Sequence, residues 1–329
     1  MNKHSNISIF IPHKGCPHQC SFCNQKEITG QVYQPDADDV KSTLKQAVED
    51  LGDNSKNAEI AFFGGSFTAI DRDYMLSLLN STKEYINFFK GIRLSTRPDC
   101  IDEEILSLLK SYNVTSIELG AQSMDNDVLK ANRRGHTAED VYKSSQLIKE
   151  YGFSLGLQMM TGLYKSDFQK DIKTAEEFIK IKPDTVRIYP TVILDNTYLG
   201  ELYKNKNYSS YTLDESAGLC SKLIVMFEKA DINIIRLGLH YSESLEKNML
   251  NNNYHPAFKE LCENKIFKDE IIKKLNDVKN KNITIFVNSN SKSKLIGQKK
   301  SNIKYLISLG YNVTIKDNEV LNKYEIIIE

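Results

Sequence analysis

The chain has no tryptophan, and only 7 prolines and 16 glycines in 329 residues. So few chain breakers argue against a collagen-like or low-complexity polypeptide. Net charge is also absent, because 43 Lys plus Arg balance 43 Asp plus Glu. No whole-molecule field is available to gather a polyanion, so any nucleic-acid binding has to come from a local patch. No apolar run approaches the roughly 18 residues of a membrane span. The apolar stretch in MNKHSNISIFIPHKG is too short for a signal peptide. The cytoplasm is the expected compartment, with no membrane partner. Cysteine is scarce, six in all, and a disulfide scaffold is not expected in a long chain without a signal.

What remains is an ordinary globular composition, 40% hydrophobic and 26% charged. Short β-rich runs alternate with longer amphipathic ones. Strands are predicted at Ile7–Pro12, Glu59–Phe63, Ile92–Thr96, Ser116–Leu119, Ser154–Met159, Thr185–Tyr189 and Ile232–Leu237. Helices are predicted at Asp36–Leu51, Asp71–Phe89, Glu103–Leu109, Ala138–Glu150, Asp167–Ile179 and Leu213–Lys229. Alternation of this kind implies right-handed βαβ units on a parallel sheet. Its size suggests an incomplete α/β barrel, with an open doubly wound sheet as the competitor. In either fold, ligand chemistry gathers just beyond the C-terminal ends of the strands.

The pattern changes after His240. Tyr241–Asn264 shows no clear period. A helix at Phe267–Val278 then leads into a βααββ unit: strand Asn282–Val287, helices Lys292–Leu295 and Ser301–Leu309, and strands Asn312–Lys316 and Tyr324–Glu329. The expected domains are 1–264 and 265–329. From Lys281 to Glu329 there are 8 Lys against 4 Asp plus Glu, a net of +4 in a neutral chain.

Half of the cysteines lie within eight residues directly after the first strand, as Cys16-Pro-His-Gln-Cys20-Ser-Phe22-Cys23. A loop this short can turn three thiolates to one centre. Spacing alone leaves two metals open. An iron–sulfur cluster held by three thiolates keeps one iron free for another ligand. Zinc would take His13 or His18 as its fourth ligand.

The C-x3-C-x2-C spacing with Phe22 before the last cysteine resembles the signature of radical S-adenosylmethionine (SAM) enzymes. The resemblance covers about residues 5–260. It implies a partial (β/α)6 TIM-type barrel, a [4Fe-4S] cluster on Cys16, Cys20 and Cys23, and S-adenosylmethionine as second cofactor. Gly64-Gly65-Ser66 resembles the family's Gly-Gly-Glu segment, with Ser66 in place of Glu, and Gln158–Leu163 resembles its adenine-binding segment. The resemblance thus implies cofactor contacts from Phe22, Gly64, Gly65, Ser66, Glu118, Gln122, Arg134, Gln158 and Met160. Tyr189, His240 and Cys100 follow strands on the expected active face and are the candidate catalytic residues.

Several phrases look like the Elongator catalytic subunit and its short bacterial relatives. They are Ser95-Thr96-Arg97-Pro98-Asp99, Glu118-Leu-Gly-Ala-Gln122-Ser123, Arg133-Arg134-Gly135-His136-Thr137, Arg236-Leu-Gly-Leu-His240 and His255-Pro256-Ala257-Phe258. That subunit carries an acetyltransferase domain after its radical SAM half. Only 49 residues follow Asn280, so acetyl transfer by this chain is not expected. His240 stands where those relatives usually have Gln.

In the tail, Ile296-Gly297-Gln298-Lys299-Lys300-Ser301 resembles the Gly-x-x-Gly loop of KH domains, with Lys300 in place of the second Gly. Gly297, Lys299 and Lys300 are the expected RNA contacts. The resulting expectation is a radical SAM enzyme that modifies a base in RNA, tRNA first, reduced by a donor such as ferredoxin or flavodoxin. The alternatives are a radical SAM enzyme acting on a small molecule such as a tetrapyrrole, and a non-catalytic zinc-stabilised RNA-binding protein.

Overall fold

The computed structural model describes residues 5–12, 19–24, 33–276 and 278–329. The chain falls into two compact units, Met1–Ser210 with Phe227–Asn252, and Tyr211–Met226 with Asn253–Glu329.

The first unit is built on seven parallel strands, each hydrogen-bonded to the next in chain order. They are β1 (Ser5–Ile11), β2 (Ala58–Gly64), β3 (Gly91–Thr96), β4 (Val114–Gln122), β5 (Ser154–Thr161), β6 (Thr185–Pro190) and β7 (Asn233–Leu237). The sheet curls into a half-barrel. The helices between the strands in chain order are α1 (Ala37–Leu51), α2 (Arg72–Thr82), α3 (Glu103–Ser111), α4 (Asn126–Ala131), α5 (Ala138–Glu150), α6 (Phe168–Ile181), α7 (Tyr198–Lys204) and α8 (Leu213–Lys229), of which α8 belongs mostly to the second unit. Seven of them start at a side-chain cap: Asp36, Asp71, Asp102, Asp125, Thr137, Asp167 and Thr197 each accept from a backbone N–H of the first turn.

Period-two alternation gives the strands two unlike faces. One face buries Ile60, Phe62, Ile92, Leu94, Ile117, Leu119, Leu155, Leu157, Val186 and Ile188. The other carries Glu59, Arg93, Glu118, Gln158 and Arg187, which bond to one another. The half-barrel is therefore apolar towards its helices and charged in its lumen.

At the top of β1 and β2, Gly65 N–H donates to the Ile11 carbonyl at 3.0 Å. Gly64 sits opposite Ile11 at φ 118°, and a Cβ there would lie 2.4 Å from the Ile11 oxygen. Gly64→Ala is therefore expected to force the two strand ends apart, with a loss of more than about 1 kcal/mol in a urea melt. Wild-type stability in that melt would contradict this reading.

The structure corrects three expected elements. Asp71–Phe89 is not one helix: α2 ends at Thr82, where the Ser81 and Thr82 hydroxyls donate to the Leu78 and Leu79 carbonyls at 2.6 and 2.8 Å. Such local bonds compete with the helical ladder. The short helices α4 and α7 were not expected, being six and seven residues with too few turns to show a period. The stretch without period holds two helices, α9 (Glu243–Asn248) and the start of α10 (Phe258–Leu275). Buried Glu263 and Asn264 interrupt the apolar stripe of α10, which hid its first turns.

The second unit has a three-stranded sheet in the order β10–β8–β9, made of β8 (Asn282–Val287), β9 (Asn312–Asp317) and β10 (Ile326–Ile328). β8 runs parallel to β9 and antiparallel to β10. With α11 (Lys292–Ile296) and α12 (Ser301–Ser308), this is the expected βααββ order. Its core is Phe267, Ile271, Ile283, Ile285, Val287, Leu295, Leu306 and Ile326. Between α11 and α12, Gly297, Lys299 and Lys300 take φ of 81°, 52° and 62°. Both lysine side chains are exposed.

Candidate active site

The end of β4 and the loop after it hold the cysteine segment. Ser21, between Cys20 and Cys23, donates its N–H to the Asn132 carbonyl at 3.1 Å and its hydroxyl to Asn132 Oδ1 at 2.7 Å. Its own carbonyl accepts from Leu199 N–H at 2.8 Å. The turn closes with Cys23 N–H on the Cys20 carbonyl at 3.2 Å. Cys20 is buried, while Phe22 and Cys23 are half-buried. Cys16, like His13 and His18, lies outside the described residues.

One guanidinium meets this segment and a second holds the first. Arg134 Nη1 donates to Cys20 Sγ at 2.9 Å, and its Nη2 reaches the Gly120 carbonyl. Arg97 forks onto Asp99 at 2.9 and 2.8 Å and donates from Nη2 to the Arg134 carbonyl. The Arg97–Asp99 pair holds the Asp99 carboxyl below its ordinary value despite burial, which acts to raise it. His136 Nε2 donates to the Ala121 carbonyl at 3.1 Å. Burial, then the charge of Arg134, brings its pKa down to about 4, so the ring is neutral at physiological pH.

Four buried polar atoms here have no hydrogen-bond partner among the described residues: Arg97 Nη1, Gln122 Oε1, Arg134 Nε and His136 Nδ1. Each such atom costs roughly 1–3 kcal/mol. Four of them clustered beyond the ends of β3 and β4, beside a cysteine sulfur, mark a place shaped for a polar group that the described residues do not supply. Thiolates are the usual ligands of iron–sulfur clusters, and guanidinium suits a carboxylate. The residues present fit a thiolate-ligated cluster with a polar second cofactor.

Below this rim lies a chain of buried charges. Glu59 accepts from Arg93 at 2.8 Å, Arg93 reaches Glu118 at 3.0 Å, and Arg187 forks onto Glu118 at 2.5 and 3.0 Å. Gln158 Nε2 donates to the same carboxylate at 3.1 Å and to Ser95 Oγ at 3.4 Å. Gly156 makes the room, since a Cβ there would lie 2.7 Å from Glu118 Cγ. Burial pushes the Glu118 carboxyl up, but Arg187 and Arg93 outweigh it and hold its pKa below the ordinary value. The Arg187 guanidinium also lies 5.2 Å from the Phe63 ring centroid.

The expected residues thus sort by depth. Gly64, Gly65, Ser66, Gln122, Arg134 and Cys20 stand at the strand ends. Glu118 and Gln158 lie a layer deeper, with the Glu118 carboxylate already held by three side chains. Met160 and Tyr189 are register partners on β5 and β6, both half-buried. Burial raises the Tyr189 pKa, which keeps it a neutral phenol. Cys100 lies on the turn after β3, its carbonyl accepting from Thr68 Oγ1 at 2.6 Å. His240 lies beyond β7 and is exposed. Gly297, Lys299 and Lys300 belong to the second unit.

The sequence points to no role for Glu59, Arg93 or Arg187, and places His136 only within the Arg133–Thr137 phrase. The first three had a signal: each stands alone between apolar neighbours in a strand, at the alternate position that faces the lumen. The importance of His136 had none, because its burial depends on the packing of the loop.

A parallel half-barrel with thiols and orphaned polar groups at its strand ends defines a cofactor-dependent α/β-barrel enzyme. The chain matches the models of the radical SAM superfamily over residues 10–178 and of the radical SAM C-terminal domain over residues 183–268. The first covers half of its length, and the chain belongs to the radical SAM superfamily. It is an enzyme whose cofactors are a [4Fe-4S] cluster and S-adenosylmethionine, which sets aside the non-catalytic zinc protein.

Among similar proteins, the tRNA uridine(34) acetyltransferase of Methanocaldococcus jannaschii is 27% identical over 259 residues, covering 65% of this chain and 47% of that protein. Elongator complex protein 3 of Homo sapiens is 30% identical over 203 residues, covering 55% and 37%. The chain spans about half the length of the curated relatives it matches. Among solved structures, the archaeal Methanocaldococcus infernus Elp3 superposes with a TM-score of 0.65 at 21% identity, covering 81% of this chain and 63% of that one.

Proposed function

We propose that this enzyme reductively cleaves S-adenosylmethionine at its [4Fe-4S] cluster and modifies a base in RNA, tRNA before other RNAs. Bound together, the two cofactors supply a 5′-deoxyadenosyl radical that takes a hydrogen atom from the substrate. The observation that carries the cofactor half is the Arg134 guanidinium on Cys20 Sγ amid four unpartnered buried polar atoms. The RNA half is supported by the acetyltransferase relatives, whose names refer to tRNA uridine, and by the exposed Lys299–Lys300 pair. The proposal puts the enzyme in the cytoplasm. Among the described residues, no helix is long and apolar enough to cross a membrane.

In this reading Cys16, Cys20 and Cys23 hold the cluster, and Arg134 donates to a thiolate, which tunes the metal from outside its ligand set. Gly64 and Gly65, having no side chains, let the methionyl amino group approach the backbone closely, with Ser66 beside them. Arg134 or its neighbour Gln122 meets the remaining polar groups of S-adenosylmethionine, and Phe22, Gln158 and Met160 complete the pocket wall. Glu118 acts by positioning: its carboxylate fixes Gln158 and Arg187. Tyr189, neutral and sheltered, is placed to hold a substrate group or pass a proton. Cys100 and His240 are the outer candidates. A low-potential donor such as ferredoxin or flavodoxin reduces the cluster. The domains of this proposal are 1–264 for the chemistry and 265–329 for RNA.

Lys299 and Lys300 give a test of the RNA half. Wild-type affinity for tRNA should fall steeply between 50 and 200 mM salt. Replacing both lysines by Glu should weaken binding across sequences and flatten the slope of log affinity against log salt by about one per lost phosphate contact. S-adenosylmethionine cleavage should not change. Unaltered anisotropy curves with tRNA would remove these lysines from the RNA site.

A further inference from the structure

Asn132, Arg133 and Arg134 are consecutive, and the outer two are both bonded to the cysteine segment, Asn132 to Ser21 and Arg134 to Cys20 Sγ. Arg133 between them takes the left-handed conformation, φ 55°. Its side chain is exposed, with the guanidinium 3.6 Å from the Tyr198 ring centroid. Stacking holds the cation in place while leaving its N–H donors to solvent. Beside it opens a cleft of about 740 Å³, lined by Gln19, Lys130, Arg133, His136 and Thr137 among others. Among the described residues its lining carries two cations, Lys130 and Arg133, and no carboxylate. His136 is 4% exposed, and its Nδ1 has no partner among the described residues.

This cleft offers two short covalent routes from the surface to Cys20. Gln19 is bonded directly to Cys20. Arg133 is bonded to Arg134, whose guanidinium touches the Cys20 sulfur at 2.9 Å. A reductant that cannot enter the barrel has to approach where such routes are short. Two exposed cations in the described lining, against the single Asp140 carboxylate held on Thr137 at the rim, give a complementary field for a negatively charged protein face.

We propose that this cleft is the docking surface for an acidic one-electron carrier protein, which Lys130 and Arg133 hold against the cysteine segment. The inference rests on the radical SAM reading and adds the place where the electron enters. The step moves one electron. The carrier is oxidised by one unit, the cluster is reduced by one unit, and no bond is made or broken.

The test uses the full chain and two probes, a ferredoxin and a flavodoxin, and reads binding directly by biolayer interferometry at 50 and 200 mM salt. Wild type should bind at least one carrier, more weakly at the higher salt. The double variant Lys130→Glu/Arg133→Glu should raise Kd at least tenfold, and Lys130→Arg/Arg133→Lys, which keeps both charges, should bind as wild type does. In parallel, carrier-driven formation of 5′-deoxyadenosine should fall in the Glu variant while dithionite-driven formation stays unchanged, since dithionite needs no docking. The proposal is overturned if wild type binds neither carrier, or if the Glu variant binds both as well as wild type. It is overturned equally if the Glu variant loses tRNA and keeps the carrier, which would give the cleft to RNA. Absence of dithionite-driven cleavage in wild type contradicts the reading of the reaction instead, and leaves the binding result to judge the surface.

Discussion

Glu118→Ala should cost the barrel about 3–5 kcal/mol of stability, the usual loss when one partner of a buried ion pair is removed. Glu118 is 1% exposed, and its two oxygens take bonds from Arg93, Arg187 and Gln158. Without it the Arg93 and Arg187 guanidiniums remain in the lumen beside the Glu59 carboxylate, which is ion-paired with Arg93. In a unit of this size each kcal/mol shifts Tm by about 2–4 °C, so a fall of roughly 6–20 °C is expected by calorimetry. A loss below about 1 kcal/mol would mean that water already solvates the lumen.

The same group sets a pH dependence. Its folded pKa is lowered relative to the unfolded chain. Its stabilisation is therefore fully present above the ordinary carboxylate range and disappears as pH falls through the lowered native value. Glu118→Gln should remove that acid-side dependence. If the variant keeps it, other carboxylates carry it.

Cys20→Ala should abolish the cluster. Anaerobically reconstituted protein should lose its iron and its broad visible absorbance, and 5′-deoxyadenosine formation should fall below detection. The contrast is Cys220→Ala. Cys220 is fully buried in α8, part of the second unit, and its replacement should leave the iron content unchanged. Full iron in Cys20→Ala would contradict the assignment of this loop. Cys20 is the more informative choice over Cys23, because its sulfur carries the Arg134 bond and replacing it also strands a buried guanidinium.

The seven strands were legible because each is a short β-branched or aromatic run, and the larger helices because an apolar stripe recurs behind an Asp or Thr cap. Elements without such a stripe were missed: α4 and α7 are too short, and the inner face of α10 carries Glu263 and Asn264. At the site, the cysteine spacing and the paired glycines could be read directly, since both reflect local backbone demands. The resemblance makes Glu118 a cofactor contact, but its carboxylate is held in a network that spans β2, β3, β4, β5 and β6. Networks of that kind depend on strand register, which one sequence does not display. The left-handed Lys299 and Lys300 are a second example, because nothing in a lysine pair announces φ above zero.

The most direct test of the central claim is mass spectrometry of nucleosides from tRNA and rRNA, comparing a deletion strain with its parent. The account predicts that one modified nucleoside disappears from the tRNA fraction, or that its precursor accumulates, with a mass difference that names the reaction. Unchanged profiles in every RNA fraction would contradict it, and would turn the search towards small-molecule substrates such as tetrapyrroles.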